Sequence, residues 1–506
     1  MTDWRTASGE WAHLDAKRSG KLDKVERLAE VTLPSVCTDE NFDSGQDSLT
    51  NGTTSFGAQA VTNLVNKLMM AMFPQRPFFR LAVPERDAMD LTEKMGITTD
   101  DLTDILAGGE RDATLELEMT GARDVLYEIT NHLVVAGDVL MDLSDKDAIA
   151  AIPIREYVCR RDSKGRPLSI VIKQCMYRNE LEPAVLPHLS FVGSQYPDDH
   201  THEVYTWIKM FKGKMRMTKW VDNIALPYGE FGGTWERDEC PYRPLTWRLP
   251  LRSDYGVSRV EEYYNDFATY ETTSESLADG AVLASQFRWL QNPGGITRPE
   301  DFAQSKNGEV IPGVAGDLTL VTANIGQQLA TVMQIGQVYQ QRVGAGFLMN
   351  SAVTRQAERV TAEEIRLQAL ELEQSLGGVY SRLSRDIQQP LVRWLMKKID
   401  LSLKGTTITP VVVTGLDALS RNADLDRLLM FLQDVTNLSG INPEQRLMLQ
   451  ESNIIADFAA GRGVSKTRYV ASNQEIQQRQ QAIQEAQAAA EQPVPPQANI
   501  PQQEAA

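Results

Sequence analysis

Cysteine is scarce in this 506-residue chain: Cys37, Cys159, Cys175 and Cys240 are scattered, with no CxxC pair. That excludes a disulfide scaffold and a thiolate metal knuckle, and it fits a reducing compartment. Basic charge is also short, with 51 Lys and Arg against 68 Asp and Glu and a formal net charge of −17. A protein that grips nucleic acid through its phosphates needs the opposite sign at least locally. Any contact with nucleic acid is therefore expected to be loose, or confined to a few basic residues. Long apolar runs are missing: stretches such as Leu133–Gly137 fall far below the ~20 residues a membrane helix needs. The first twenty residues carry charges throughout and lack an apolar stretch, so no secretory signal is expected and the chain reads as a cytoplasmic product.

Catalytic signatures are lacking too. GRGVSKT (461–467) ends like a phosphate loop, but Ser465 stands where the motif needs a glycine, and no strand precedes it. GAGF (344–347) follows a helical pattern and not a strand, so it is no dinucleotide fingerprint. Neither GxSxG nor HExxH occurs. The one metal-like string, DDHTH, holds Asp198, Asp199, His200 and His202 and reads as a solvated turn, while His13, His132 and His188 stand alone. No enzymatic centre, cofactor or metal is expected.

What is present is patterned apolar sequence on a chain long enough for several structural units. Residues 1–31 read as a charged helical arm. In 53–74, Val61, Leu64, Val65, Leu68, Met69, Met72 and Phe73 share one helical face. Thr53, Thr54 or Ser55 is placed to cap that helix, and Pro74 ends it. A second amphipathic helix is predicted at about 108–136, with Leu115, Met119, Leu126, Ile129 and Leu133 inward. From about 138 to 250 the period becomes two, and Ile170, Ile172, Val204, Tyr205, Trp207, Lys209 and Phe211 belong to short antiparallel strands. DSKG (162–165) and FKGK (211–214) read as hairpin tips.

Helix returns at about 257. Residues 260–287 hold Glu261, Glu262, Asp266, Glu271, Glu275 and Asp279 and no base, whereas residues 318–357 carry only Arg342 and Arg355. Between the two, 291–313 is rich in turn residues and predicts a compact loop or strand module. The charge-poor stretch has two readings. It is either a buried core helix, or a helix packed on neighbours through Ile325, Leu329, Val332, Tyr339 and Val343. In the second case its glutamines, at 327, 328, 334, 337, 340 and 341, line something that must not bind strongly; as core residues each would need a partner. A long helix is predicted from Thr361, boxed by Glu364, to about Lys398, with a stripe of Ile365, Leu372, Leu376, Val379, Leu383, Ile387, Leu391 and Leu395. It spans roughly 57 Å if unbroken, and Gly377–Gly378 and Pro390 predict a bend. TITPVVVT (407–414) reads as a strand, followed by helices near 424–437 and 443–460. After 473 the chain becomes Gln/Ala/Glu-rich helix, then a Pro/Gln tail too polar to fold.

Three ordered strings carry a resemblance. AERVTAEEIR (357–366) with ELEQSLGGVYSRL (371–383), GAQAVTNLVNKLMMAMFP (57–74) with PFFRL (77–81), and PLTWRLPLRSDYGVSRVEEYYND (244–266) are similar to the portal, or head-to-tail connector, proteins of autographivirus-type short-tailed phages. The likeness runs from about residue 5 to about 470. It implies a mainly helical α+β portal fold, assembled as a ring of typically twelve subunits at one capsid vertex. On that likeness the wing is 1–256 with 361–423, and the stem is 257–285 with 323–343. The clip is 286–322, the tunnel loop 344–360, the crown 424–490 and the disordered tail 491–506. It implies a non-enzymatic virion component that nucleates the procapsid and conducts double-stranded DNA. Its implied partners are the terminase large subunit, then a tail adaptor or tail tube protein, scaffolding and major capsid proteins, and internal core proteins, with no membrane. Residues expected along the channel are Arg342, Gly344, Phe347, Leu348, Met349, Asn350, Arg355 and Arg359, with Glu261, Glu262, Asp266, Glu271 and Glu275 as an acidic stem. The arginines have two open roles, weak guidance of DNA or pairing between subunits.

Overall fold

The computed structural model describes residues 6–38, 42, 45–49, 52–74, 77–82, 99–189, 201–322, 325–349, 362–399 and 411–414. The predicted cap at Thr361, the helices after 424 and the tail lie outside them, as do Asn350, Arg355 and Arg359. The chain divides into two compact units, one of residues 1–79, 113–400 and 414–419, the other of 80–112, 401–413 and 420–506. The architecture mixes helix and sheet.

Helix α1 (Ala7–Glu30) starts where Thr6 accepts a hydrogen bond from the Gly9 amide. Helix α2 (Phe56–Met72) buries the face the spacing predicts, including Val61, Leu64, Val65, Leu68, Met69 and Met72. Ser55 stands at its N-cap position without a side-chain bond there. Strand β1 (Phe79–Ala82) pairs with a late strand, β13 (Val411–Thr414), at the end of the predicted 407–414 segment. In the same unit the buried Glu110 carboxylate accepts from the Leu81 amide at 2.8 Å.

The single helix expected at 108–136 is two, α3 (Thr99–Met119) and α4 (Ala122–Val135). Gly121, at φ 65°, adopts the left-handed backbone that breaks them. The break re-phases the stripe. Leu126, Ile129 and Leu133 are buried as predicted, whereas Leu115 is 60% and Met119 73% exposed.

The β region is antiparallel, as the alternation predicts. Strands β2 (Asp138–Asp142) and β3 (Ala150–Ile152) form a three-stranded sheet with β10 (Tyr242–Thr246). A larger sheet runs through β4 (Tyr157–Arg161), β5 (Pro167–Tyr177), β6 (Thr201–Phe211), β7 (Lys214–Val221) and β8 (Ile224–Ala225), with β9 (Gly233–Trp235) on β7. Both predicted hairpin tips are there. Asp162 to Gly165 turns β4 into β5, and Lys212 and Gly213, at φ 50° and 86°, turn β6 into β7. Helix α1 covers one face of this sheet through Trp11 and Leu14 against Val158, Val171, Tyr205 and Trp207.

Helix α5 (Arg259–Glu262) leads into α6 (Tyr264–Ser285). Strands β11 (Phe287–Gln291) and β12 (Leu318–Thr322) pair on either side of the predicted 291–313 module, which itself holds turns and a short helix at Pro299–Gln304. Helix α7 (Gly326–Gly346) returns, ending three residues past the predicted 343. The long helix expected from 361 is three pieces, α8 (Ala362–Leu376), α9 (Val379–Leu383) and α10 (Gln389–Lys398), with a π-helical turn at Ser384–Gln388. Gly377 and Gly378, both at positive φ, make a break where a bend was predicted. The stripe survives it: Leu372, Leu376, Val379, Leu383, Ile387, Leu391 and Leu395 are all buried.

Candidate functional site: an anchored, projecting helix pair

The start of the pair is held by a buried carboxylate. Asp138, at the head of β2, accepts from the Gly256 amide at 2.8 and 3.0 Å and lies 3.6 Å from the Lys21 ammonium. Burial pushes this carboxyl up to about 6, with Lys21 opposing. Lys21 also donates to the Gly256 carbonyl at 2.7 Å and reaches Glu261 at 3.4 Å, so α1, β2 and α5 meet at one point. Gly137 must be a glycine, because at φ 84° a Cβ would stand 2.8 Å from the Ser258 amide. Ser258 then caps α5 by accepting from the Glu261 amide at 2.9 Å.

The end of the pair is locked onto the same base. Phe347 is fully buried, its ring edge-on to Tyr263 at 5.7 Å and Phe267 at 5.3 Å. Gly346 lies so close that a Cβ would meet the Tyr263 ring at 2.5 Å. Arg259 donates to the Gly346 carbonyl at 2.8 Å and stacks on Tyr263 at 4.7 Å. From α2, Asn63 donates to the Phe347 carbonyl at 2.9 Å and Lys67 to the Leu348 carbonyl at 2.6 Å. Burial lowers the Lys67 ammonium from its ordinary range, against the raising influence of Glu371.

Past Tyr270, whose ring lies 4.9 Å from Phe56, and Glu271, which meets Thr54, the two helices chiefly touch each other among the described residues. Gly346 meets Tyr263, Gly336 approaches Thr273 and Gly280 meets Leu329. As the residue number on α6 rises by ten and then seven, its partner on α7 falls by the same steps, the register of an antiparallel pair. Small residues at the crossings let the backbones close up. Of the 22 residues of α6 only Phe267 is buried, and α7 buries Gly336, Val343, Gly344 and Gly346.

This geometry overturns the first reading of the charge-poor stretch, that of a buried core helix. All six glutamines of α7 are exposed, so it is not a helix of this chain's own core. Met333, Ile335 and Val338 on α7 and Val282 and Leu283 on α6 are exposed as well.

The expected site residues scatter between roles. Arg342 is exposed, its guanidinium 5.2 Å over Tyr339. Gly344 is buried, and Leu348 and Met349 are half-buried. Phe347, expected as an apolar loop residue meeting DNA, instead faces the chain's own core, because two aromatic rings of the adjoining helices enclose it. Of the acids, Glu261 pairs with Lys21 and Lys24, and Glu262 with Arg248 and Arg259. Glu271 accepts from the Thr54 amide at 3.1 Å and from its hydroxyl. Asp266 is half-buried and Glu275 exposed. Sequence reasoning missed the anchors Lys21, Asn63, Lys67, Asp138 and Arg259. Only the glycines bracketing them, at 137, 256 and 346, hinted at close approach.

His202, from the metal-like string, is buried with its Nδ1 2.5 Å from Asp222, a structural pair. The preceding Asp198, Asp199 and His200 lie outside the described residues. Among the described residues, no group of three or more His, Cys, Asp or Glu is placed to hold a metal ion. No helix among them is long and apolar enough to cross a membrane.

A profile of the family described as "Bacteriophage head to tail connecting protein" matches residues 5–468. The chain belongs to this family. Curated relatives called "Portal protein" agree. That of Enterobacteria phage SP6 is 32% identical over 472 residues, covering 92% of this chain and 90% of its own. That of Escherichia phage T7 is 30% identical over 416 residues, covering 80% and 77%. That of Pseudomonas phage phiKMV is 30% identical over 512 residues, covering 96% of each. As a portal-type connector the chain is a structural component of the virion's head–tail junction.

Proposed function

We propose that this connector assembles as a ring of twelve subunits at one capsid vertex and conducts double-stranded DNA during packaging and ejection. The observation that carries the reading is the projecting α6–α7 pair. A helix with six exposed glutamines and one exposed base, Arg342, offers phosphates little to hold. Exposed Met333, Ile335, Val338, Val282 and Leu283 need covering, which neighbouring copies in a closed heterologous ring supply. In this reading the pair is the stem (257–285 and 323–343), the insert 286–322 the clip, 344–360 the tunnel loop, 424–490 the crown, and the remainder to 423 the wing. The clip docks the terminase large subunit and then the tail adaptor. The assembled ring nucleates the procapsid with scaffolding and major capsid proteins and receives internal core proteins. Arg342, Arg355 and Arg359 are the channel's weak positive points, and exposed Glu275 belongs to its acidic wall.

Electron-microscopy class averages with native mass test this. Closed rings of about a dozen subunits with a central hole are expected. Chains that stay monomeric with scaffolding protein present would refute it. Unchanged packaging and DNA retention after Arg342→Gln with Arg355→Gln would remove the arginines from the channel's function.

A further inference from the structure

The hairpin of β6 and β7 reverses the charge of the chain that carries it. Residues 209–219 hold Lys209, Lys212, Lys214, Arg216 and Lys219 and no acid, in a protein with 17 more acids than bases. The ladder sorts them. Lys209 stands opposite Arg216 and Phe211 opposite Lys214, so these four share one face. The other face carries Ile208 opposite Met217 and Met210 opposite Met215, and Ile208, Met215 and Met217 are buried. Lys212 and Gly213 form the exposed turn between them, and Phe211 is 46% exposed beside it.

This cationic face is held together by rings more than by carboxylates. The Lys209 ammonium sits 3.7 Å over Trp207, and the Arg216 guanidinium lies 4.0 Å over Tyr228 and 5.5 Å from Phe211. Among the described residues Lys214 of this face forms an ion pair, with Glu236 at 2.7 Å, and both partners are more than half exposed. Lys209 and Arg216, directly opposed, repel each other, while the Glu10 carboxylate of α1 attracts the Lys209 ammonium. Independently, the Arg216 Nε is buried with no hydrogen-bond acceptor among the described residues, which leaves a donor waiting for one.

We infer that the β6–β7 hairpin is a phosphate-contacting finger for double-stranded DNA, separate from the channel face of the helix pair. Arg216 and Lys209 form its seat, and Lys212 and Lys214 its exposed tip. A polyanion with regularly repeated phosphates suits several cations on one flat face that lacks a complementary pocket. Duplex DNA is the polyanion a connector meets, and to that extent the inference rests on the proposed conduit.

Fluorescence anisotropy of the full-length protein with a labelled 30-base-pair duplex, from 25 to 200 mM salt, tests it. The variant Lys212→Asn with Lys214→Gln alters only exposed positions, and asparagine tolerates the left-handed backbone at 212. Loss of two phosphate contacts is expected to weaken binding at least ~10-fold at 50 mM salt and to reduce the salt slope by about 1.8. Thermal melting and native mass are expected to stay at wild-type values. Wild-type affinity and slope in the variant would overturn the inference. So would a labelled poly-glutamate peptide that binds wild type as tightly as the duplex and loses binding in the variant, which would mark an acidic protein partner. Failure of the conduit reading shows separately, as an absence of rings in both proteins.

Discussion

Two buried groups of this connector titrate with opposite sign, and separating them tests the packing around the helix pair. His132, on α4, is held down to about 4 from an ordinary 6.5 by burial, and its Nδ1 has no hydrogen-bond partner among the described residues. The folded state therefore binds fewer protons than the unfolded one between pH 6.5 and 4. Its contribution is complete above pH 6.5 and is lost as pH falls toward 4, amounting to about 3 kcal/mol from the difference in the two values. Asp138 is pushed up from 3.8 to about 6, so the folded state binds more protons between those values. Its ionisation opposes folding as pH rises from 4 to 6, again by about 3 kcal/mol. In the wild type the two slopes largely cancel from pH 6 to 4. His132→Asn removes one slope, and its urea midpoint is expected to rise as pH falls from 6 to 4. Asp138→Asn removes the other, and its midpoint is expected to fall steeply over the same range. Equilibrium urea unfolding at half-unit pH steps measures both. If either variant ran parallel to the wild type from pH 6 to 4, the burial assigned to that group would be wrong.

Phe347→Ala should cost about 3–5 kcal/mol by emptying the aromatic cluster with Tyr263 and Phe267, read as a large drop in melting temperature. Arg342→Gln, on an exposed side chain, should leave that temperature unchanged, which separates any packaging defect from misfolding. Met333→Asp with Val338→Asp should leave circular dichroism intact but lower the native mass below that of a closed ring, since both residues are exposed in the single chain. Gly346→Ala should destabilise the pair by forcing a methyl group into the Tyr263 ring, seen as a lowered melting temperature.

Much of this organisation is local and therefore legible without coordinates. The α2 stripe, the hairpin tips at 162–165 and 211–214, the alternation of β5 and β6, and the two helices flanking the insert all follow from side-chain period and turn chemistry. Periodicity says which residues share a face, not which face is covered. Periodicity alone thus points Leu115 and Met119 inward, whereas the left-handed Gly121 ends their helix and they lie exposed. For the same reason the six glutamines admit two readings from sequence, and the pattern around Phe347 does not reveal the rings that enclose it.

The family, the scarcity of basic charge, and the order of helix, sheet, helix, insert, helix are all legible along the chain. Those depend on neighbours along the chain and on motifs read in order. The convergence of Lys21, Asp138, Asn63, Lys67 and Arg259 on the base of the helix pair, and the gathering of the FKGK hairpin's cations on one face, emerge in the folded chain alone. Such contacts join residues far apart in sequence, up to 284 positions for Asn63 and Phe347. The free energy that selects them comes from burial and from satisfying buried polar groups in three dimensions, which no local pattern records.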